Sequence, residues 1–137
     1  MIDYLGTDLS PAMIRHAKRR WRRPGVRFVV AGASPRLADY SLASGVFNVR
    51  LDQPDDIWER FVACTLADLS RTSRRGFAVN FMAPEAPGRR AAAELYRTPP
   101  APWVRYCERE LRCSVEVRRG YGLREFTLLA RKGERLK

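Results

Sequence analysis

Apolar positions along the chain follow two periods. The runs Val26 to Ala31 and Phe77 to Phe81 are short and nearly all apolar, which reads as strands covered on both faces, because a half-exposed strand would alternate. Ala38 to Val49 supplies a further strand with Tyr40 to Ala43 at its heart. Between these runs, apolar residues recur every three or four positions and predict three helices. Their stripes are Met13, Ile14, Ala17 and Trp21, then Ile57, Phe61, Cys64 or Thr65, and Leu69, and finally Trp103, Val104, Cys107 and Leu111. Ser10 before Pro11 is an N-cap with proline at the first helical position, and Pro24-Gly25 stops that helix. Asp55 or Asp56 caps the second helix, which ends in the polar Ser70 to Arg75. Ala83 to Arg90 and Pro99 to Pro102 interrupt regular structure. Ser114 to Val117 and Glu125 to Ala130 read as strands of a hairpin turning through Gly120 and Gly122. Strand–helix alternation that ends on an antiparallel hairpin predicts an α/β three-layer sandwich.

The 137 residues suffice for a single domain over 1–137 with a buried core. No apolar run reaches bilayer length, and no signal-peptide pattern opens the chain, so the cytoplasm is the expected location and no membrane partner is expected. Cys64, Cys107 and Cys113 form neither a zinc spacing nor a redox pair with the single His16, so no metal is expected. Cys64 and Cys107 lie in apolar helical patterns and read as small core residues, while Arg112 beside Cys113 would favour a thiolate.

The formal net charge is +11, and all but Lys18, Lys132 and Lys137 of the 26 basic residues are arginine. Between Leu9 and Ala38 there are eight basic residues and no acid, with Arg15, Lys18, Arg19, Arg20, Arg22, Arg23 and Arg27 crowding the first helix and the turn after it. Such a patch attracts phosphates or acidic partners, or it is a solvated helix face. Nucleic acid is not the favoured partner, because aromatic interleaving is confined to Trp21.

The stretch Ile2-Asp3-Tyr4-Leu5-Gly6-Thr7-Asp8-Leu9-Ser10-Pro11 carries the most chemistry. A short strand ends on Asp8 and a capped helix begins at once. In open parallel sheets a carboxylate there faces the ligand crevice and accepts hydrogen bonds from a ribose diol. It normally follows a glycine-rich strand–turn–helix about twenty residues upstream, so the sequence reads as such a fold entered at its second strand.

Four segments together resemble the class I S-adenosylmethionine-dependent methyltransferases, in an uncharacterised bacterial branch. Gly6 to Ile14 looks like the acidic strand end and its helix. Val26-Arg27-Phe28-Val29-Val30-Ala31-Gly32-Ala33 is similar to the third strand and its adenine-side turn, and Ala38 to Val49 to the fourth strand. Tyr121-Gly122-Leu123-Arg124-Glu125-Phe126-Thr127-Leu128-Leu129-Ala130-Arg131-Lys132 looks like the closing strand. The resemblance implies a Rossmann-like fold with a mostly parallel sheet, S-adenosylmethionine as cofactor and a small-molecule or other methyl acceptor.

It further implies that Asp8 accepts both ribose hydroxyls and that Leu9 and Met13 lie against the adenine. Gly32 and Ala33 stand where the family usually has an adenine-binding acid and a small residue. Ser44 and Gly45 fall where backbone nears the sulfonium, with Phe47 and Asn48 on the substrate side. Tyr96 and Trp103, flanking the proline-rich loop, could line a substrate pocket or anchor that loop. No catalytic residue is assigned, since a sulfonium is an activated leaving group and the protein mainly aligns the reactants.

The family's first strand and glycine-rich turn lack a counterpart. The chain is therefore expected to be the later part of a longer frame, to pair its two orphaned strands directly, or to borrow a strand from a second copy as a homodimer. The competing reading is a non-catalytic module of the same fold that uses the basic patch to bind nucleic acid or an acidic partner.

Overall fold

Ser10 sits in extended conformation and its hydroxyl accepts the Met13 N–H at 3.3 Å, which starts helix α1, Pro11–Arg20. The helix carries Lys18, Arg19 and Arg20 in its last turn, where cations suit the carbonyl end. It connects two parallel strands, β1 (Tyr4–Asp8) and β2 (Val26–Val30), in register from Tyr4↔Val26 to Asp8↔Val30. The computed structural model describes residues 1–120 and 124–133. In it these elements form one unit, Met1–Arg36, and the remainder forms a second, Leu37–Lys137. Val29 and Val30 stay 37% and 51% exposed, so β2 is not the doubly covered strand its composition predicted. At the start of this unit Asp3 meets Arg36 at 2.6 Å and Arg27 at 3.3 Å. The hydrogen bond from Arg36 holds the Asp3 carboxyl below its ordinary range.

The second unit contains β3 (Ala38–Ala43), α2 (Asp55–Arg71), β4 (Ser73–Met82), α3 (Ala101–Arg109), β5 (Cys113–Arg118) and β6 (Glu125–Lys132). The strand order is β3-β4-β6-β5, with β3 parallel to β4 and the other two pairings antiparallel. The antiparallel β5–β6 pair is the predicted hairpin. Its expected turn residue Gly122, with Tyr121 and Leu123, lies outside the described residues.

Several boundaries differ from the sequence pattern for physical reasons. The strand predicted for Ala38 to Val49 stops at Ala43, where Gly45 takes φ +73° and turns the backbone. β4 begins at Ser73 rather than Phe77 because its polar start is held: Ser73 Oγ donates to Ser41 Oγ at 2.8 Å, and Lys132 Nζ donates to the Ser70 and Ser73 carbonyls at 2.8 and 2.9 Å. Neither Asp55 nor Asp56 caps α2. Pro54 occupies that position, and the two aspartates fill the first turn, where the helix dipole favours them.

The buried stripe of α2 is Val62, Leu66 and Leu69, while Ile57, Phe61 and Cys64 are exposed. The predicted stripe and the buried one share Leu69; earlier in the helix packing selects Val62 and Leu66, each one position from the expected Phe61 and Thr65. Cys64 is thus a surface thiol, and Cys107 and Cys113 are the buried ones. Burial pushes the Cys107 thiol up to about 12 and raises Cys113 as well. At Cys113 desolvation outweighs the Ser70 hydrogen bond and the Lys132 charge, which act in the other direction.

Phe77, Val79 and Phe81 of β4 and Phe126, Leu128 and Ala130 of β6 share one sheet face with the buried residues of α2 and α3. Phe81 lies at its centre, stacked on Phe47, Phe126 and Trp103 with ring centroids 5.0, 5.4 and 5.9 Å away. On the other face, Tyr40 and Leu42 are 62% and 76% exposed. Among the described residues β1 pairs with β2, and β3 pairs with β4. Among the described residues no helix is long and apolar enough to cross a membrane.

Candidate functional site

In the first unit, Asp8 is the last residue of β1, and its carbonyl accepts the Ala31 N–H at 3.1 Å, tying the carboxyl ends of the two parallel strands together. Its side-chain Oδ1 accepts the Ser10 N–H at 2.8 Å, so the carboxylate is oriented by the backbone that starts α1 while staying exposed. Leu9, 74% exposed, meets the β2 side of the same end. A Cβ added at Gly32 would stand 3.0 Å from Leu9 Cδ2. Gly32 and the exposed Leu9 side chain therefore lie side by side as an apolar ledge beside the carboxylate. Met13 on α1 and Ala33 in the following loop are also exposed. Asp8, Leu9 and Gly32 are thus brought to one place, an anionic hydrogen-bond acceptor next to an apolar surface.

In the second unit, Ser44 and Gly45 form the turn that ends β3. The Gly45 N–H donates to Asn80 Oδ1 at 2.7 Å, and Asn80 Nδ2 donates to Glu125 Oε2 at 3.3 Å. Asn80 and Glu125 escaped the sequence reading, although Asn80 is the single polar residue in the apolar run Phe77 to Phe81, and such a residue at a strand's carboxyl end is a signal. A cavity of about 200 Å³ opens here, lined by Leu42, Ala43, Ser44, Ala78, Asn80 and Thr127 among others. In parallel sheets, ligands gather at this end of the strands.

The residues expected on the substrate side divide. Phe47 is fully buried and stacked on Phe81, so its ring packs the core and does not face a substrate. Tyr96 is 4% exposed; it receives a hydrogen bond from Trp103 Nε1 at 3.1 Å and donates to Glu59 Oε1 at 3.4 Å. Burial pushes the Tyr96 phenol up. It therefore anchors the proline-rich loop instead of lining a pocket. Asn48 accepts the Tyr96 N–H on its carbonyl at 2.9 Å, and its buried Oδ1 has no hydrogen-bond partner.

The basic residues from Arg15 to Arg23 are exposed at every position. Trp21, 46% exposed, lies under the guanidinium groups of Arg20 and Arg23, 5.7 and 5.8 Å from its ring centroid.

No known protein-family profile matches the chain. A Mycobacterium tuberculosis (strain H37Rv) protein carrying the name "Putative methyltransferase Rv1506c" is 40% identical over 131 residues, which make up 95% of this chain and 79% of that protein. Among solved structures, the magnesium protoporphyrin IX methyltransferase ChlM of Synechocystis PCC 6803 with bound SAH matches with a TM-score of 0.70 and 14% identity. That match covers 94% of this chain, which spans 64% of the ChlM chain. CalS10, an amino pentose methyltransferase from Micromonospora echinaspora solved with SAM, matches at TM-score 0.65 and 13% identity over 94% of this chain and 73% of its own. An S-adenosylmethionine-dependent methyltransferase from Mesorhizobium loti matches at TM-score 0.63 and 15% identity over 93% and 79%. These structural matches share the Rossmann-like α/β fold read from the sequence. With 40% identity along 95% of this chain and 79% of that protein, the chain belongs to the same methyltransferase family as the Mycobacterium tuberculosis protein, and it has the Rossmann-like fold of the class I enzymes.

Proposed function

We propose that the chain binds S-adenosylmethionine and serves transfer of its methyl group to an acceptor. The observation that carries this reading is the exposed Asp8 carboxylate, held by the Ser10 N–H at the carboxyl end of a parallel strand and flanked by the Leu9–Gly32 ledge. An ionised carboxylate has about four acceptor sites. One is used by Ser10, which leaves enough for both hydroxyls of a ribose. Leu9, Met13, Gly32 and Ala33 then offer apolar contact to the adenine, without the acid that would pair with its amino group. The cofactor supplies a methyl group on a sulfonium, so the chain's side chains have only to bind and orient. In the second unit, taken by itself, Ser44 and Gly45 are candidate cofactor contacts, and Asn48, whose buried side-chain Oδ1 has no partner among the described residues, is the candidate acceptor contact.

Calorimetric titration with S-adenosylhomocysteine tests this directly. Asp8→Ala is expected to weaken binding about 100-fold or more, since two hydrogen bonds to a charged group are lost, while the protein still unfolds cooperatively near the wild-type temperature. A variant that unfolds outright would show that the carboxylate serves the fold through Ser10 and not a ligand.

A second reading has its own observation, the half-exposed Trp21 between two arginines. Arginine forks suit phosphates, and an open indole suits a stacked base, so this corner of the first unit is a candidate contact for single-stranded nucleic acid. Replacing Arg19, Arg20, Arg22 and Arg23 by glutamine together is expected to leave the melting temperature nearly unchanged, because exposed charges contribute little. Binding to a generic RNA should weaken steeply as salt rises in the parent protein and disappear in the variant. A response indifferent to salt removes this reading, and a sharp drop in melting temperature would place those arginines in a packed network.

A further inference from the structure

The Ser44–Gly45 turn is not stabilised by a backbone ladder. Its Gly45 N–H goes to a side chain 35 positions away, Asn80 Oδ1 at 2.7 Å. An asparagine amide can present oxygen or nitrogen to that N–H, and only oxygen bonds. The neighbour on the other side settles the choice: Glu125 Oε2 is an acceptor, so it takes Asn80 Nδ2 at 3.3 Å and turns the oxygen toward Gly45. Three elements are involved, since Gly45 follows β3, Asn80 is on β4 and Glu125 opens β6. Asn80 also lines the cavity of about 200 Å³ beside Ser44. The amide therefore joins the turn to the open space at the carboxyl end of the parallel strands.

We propose that Asn80 is the positioning residue of the ligand site in this unit, with Glu125 fixing its amide, so that the Ser44–Gly45 backbone is presented in one conformation. The assignment rests on the reading that the chain binds S-adenosylmethionine. Asn80 acts through the turn. Without it, the Gly45 N–H loses its partner and the turn samples alternatives that a ligand must then restrict.

The test uses the full chain and three readouts: the Gly45 amide resonance, the thermal midpoint and S-adenosylhomocysteine affinity. Asn80→Ala is expected to move the Gly45 amide upfield and to weaken binding about tenfold, with a thermal midpoint close to the parent. Asn80→Asp places two carboxylates together and should weaken binding comparably near neutral pH. Combining Asn80→Asp with Glu125→Gln restores the arrangement with donor and acceptor exchanged, because the aspartate accepts from both Gly45 and the glutamine amide. Affinity within about twofold of the parent is then expected, since the hydrogen bonds are restored in number. Unchanged affinity in Asn80→Ala despite a shifted Gly45 amide overturns the inference alone, as does failure of the double variant to recover. If the parent itself shows no binding, the cofactor reading falls and takes this assignment with it.

Discussion

Phe81→Ala is expected to destabilise the protein by about 3–5 kcal/mol, a large share of the roughly 5–15 kcal/mol that holds a domain together. The ring is fully buried and stacks on Phe47, Trp103 and Phe126, which come from the segment after β3, from α3 and from β6. No single neighbour can collapse into the space without breaking its own contacts. Urea denaturation followed by circular dichroism gives the measurement, with a midpoint near zero denaturant or no cooperative transition as the expected result. Ile57→Ala on α2 is the control. Ile57 is 43% exposed, and its loss should cost about 1 kcal/mol or less at the apolar-burial rate. If the two variants cost the same, the buried face of the helix is the other stripe.

The second large effect comes from adding one carbon. A Cβ at Gly76 would lie 2.2 Å from the Ala130 carbonyl oxygen, a backbone atom of β6 that pairs with Phe77 of β4. Neither strand can yield, because each is hydrogen-bonded to a neighbour on its other side. Gly76→Ala is therefore expected to cost about 3 kcal/mol or more, at the upper end of overpacking effects, and to lower the yield of folded protein. Gly133→Ala, where nothing lies within 4 Å, should melt with the parent. Equal melting of both would mean that β4 and β6 are not paired as described.

The sequence pattern located every helix and strand among the described residues, with the α1 cap and the α3 face as read, but misjudged other faces and ends, such as those of α2 and β3. The strand Phe77 to Phe81 was legible because Asn80 is its single polar residue, yet its start at Ser73 depends on Lys132 and Ser41, which are far away in sequence. The α2 stripe was read correctly at Leu69 but one position off at Phe61, because Phe61 and Val62 fit the same period equally well. At the candidate site, the Ser10 cap was readable because capping is local, and the structure shows its hydroxyl accepting the Met13 N–H, whereas the bond from the Ser10 N–H to the Asp8 carboxylate had not been read from the sequence. Phe47 and Tyr96 could be read from the sequence either as substrate-side residues or as packing, because an aromatic in a loop after a strand gives no sign of which way it turns. Asn80 was visible as a polar interruption, but its partners Gly45 and Glu125 are each more than thirty residues distant, and long-range pairing leaves no periodic trace.

The position of β6 has a consequence for how the protein is made. It lies between β4 and β5 and supplies Phe126, Leu128 and Ala130 to the core, yet it follows both neighbours in the chain. On the ribosome, β4 must wait with one edge open and Phe77, Val79 and Phe81 uncovered until translation has passed Lys132. Contacts that close such long loops form slowly, and an open apolar edge invites pairing between nascent chains. Slowing synthesis after β5, or raising temperature during expression, should therefore shift product from the soluble to the aggregated fraction more than an equal loss of equilibrium stability would.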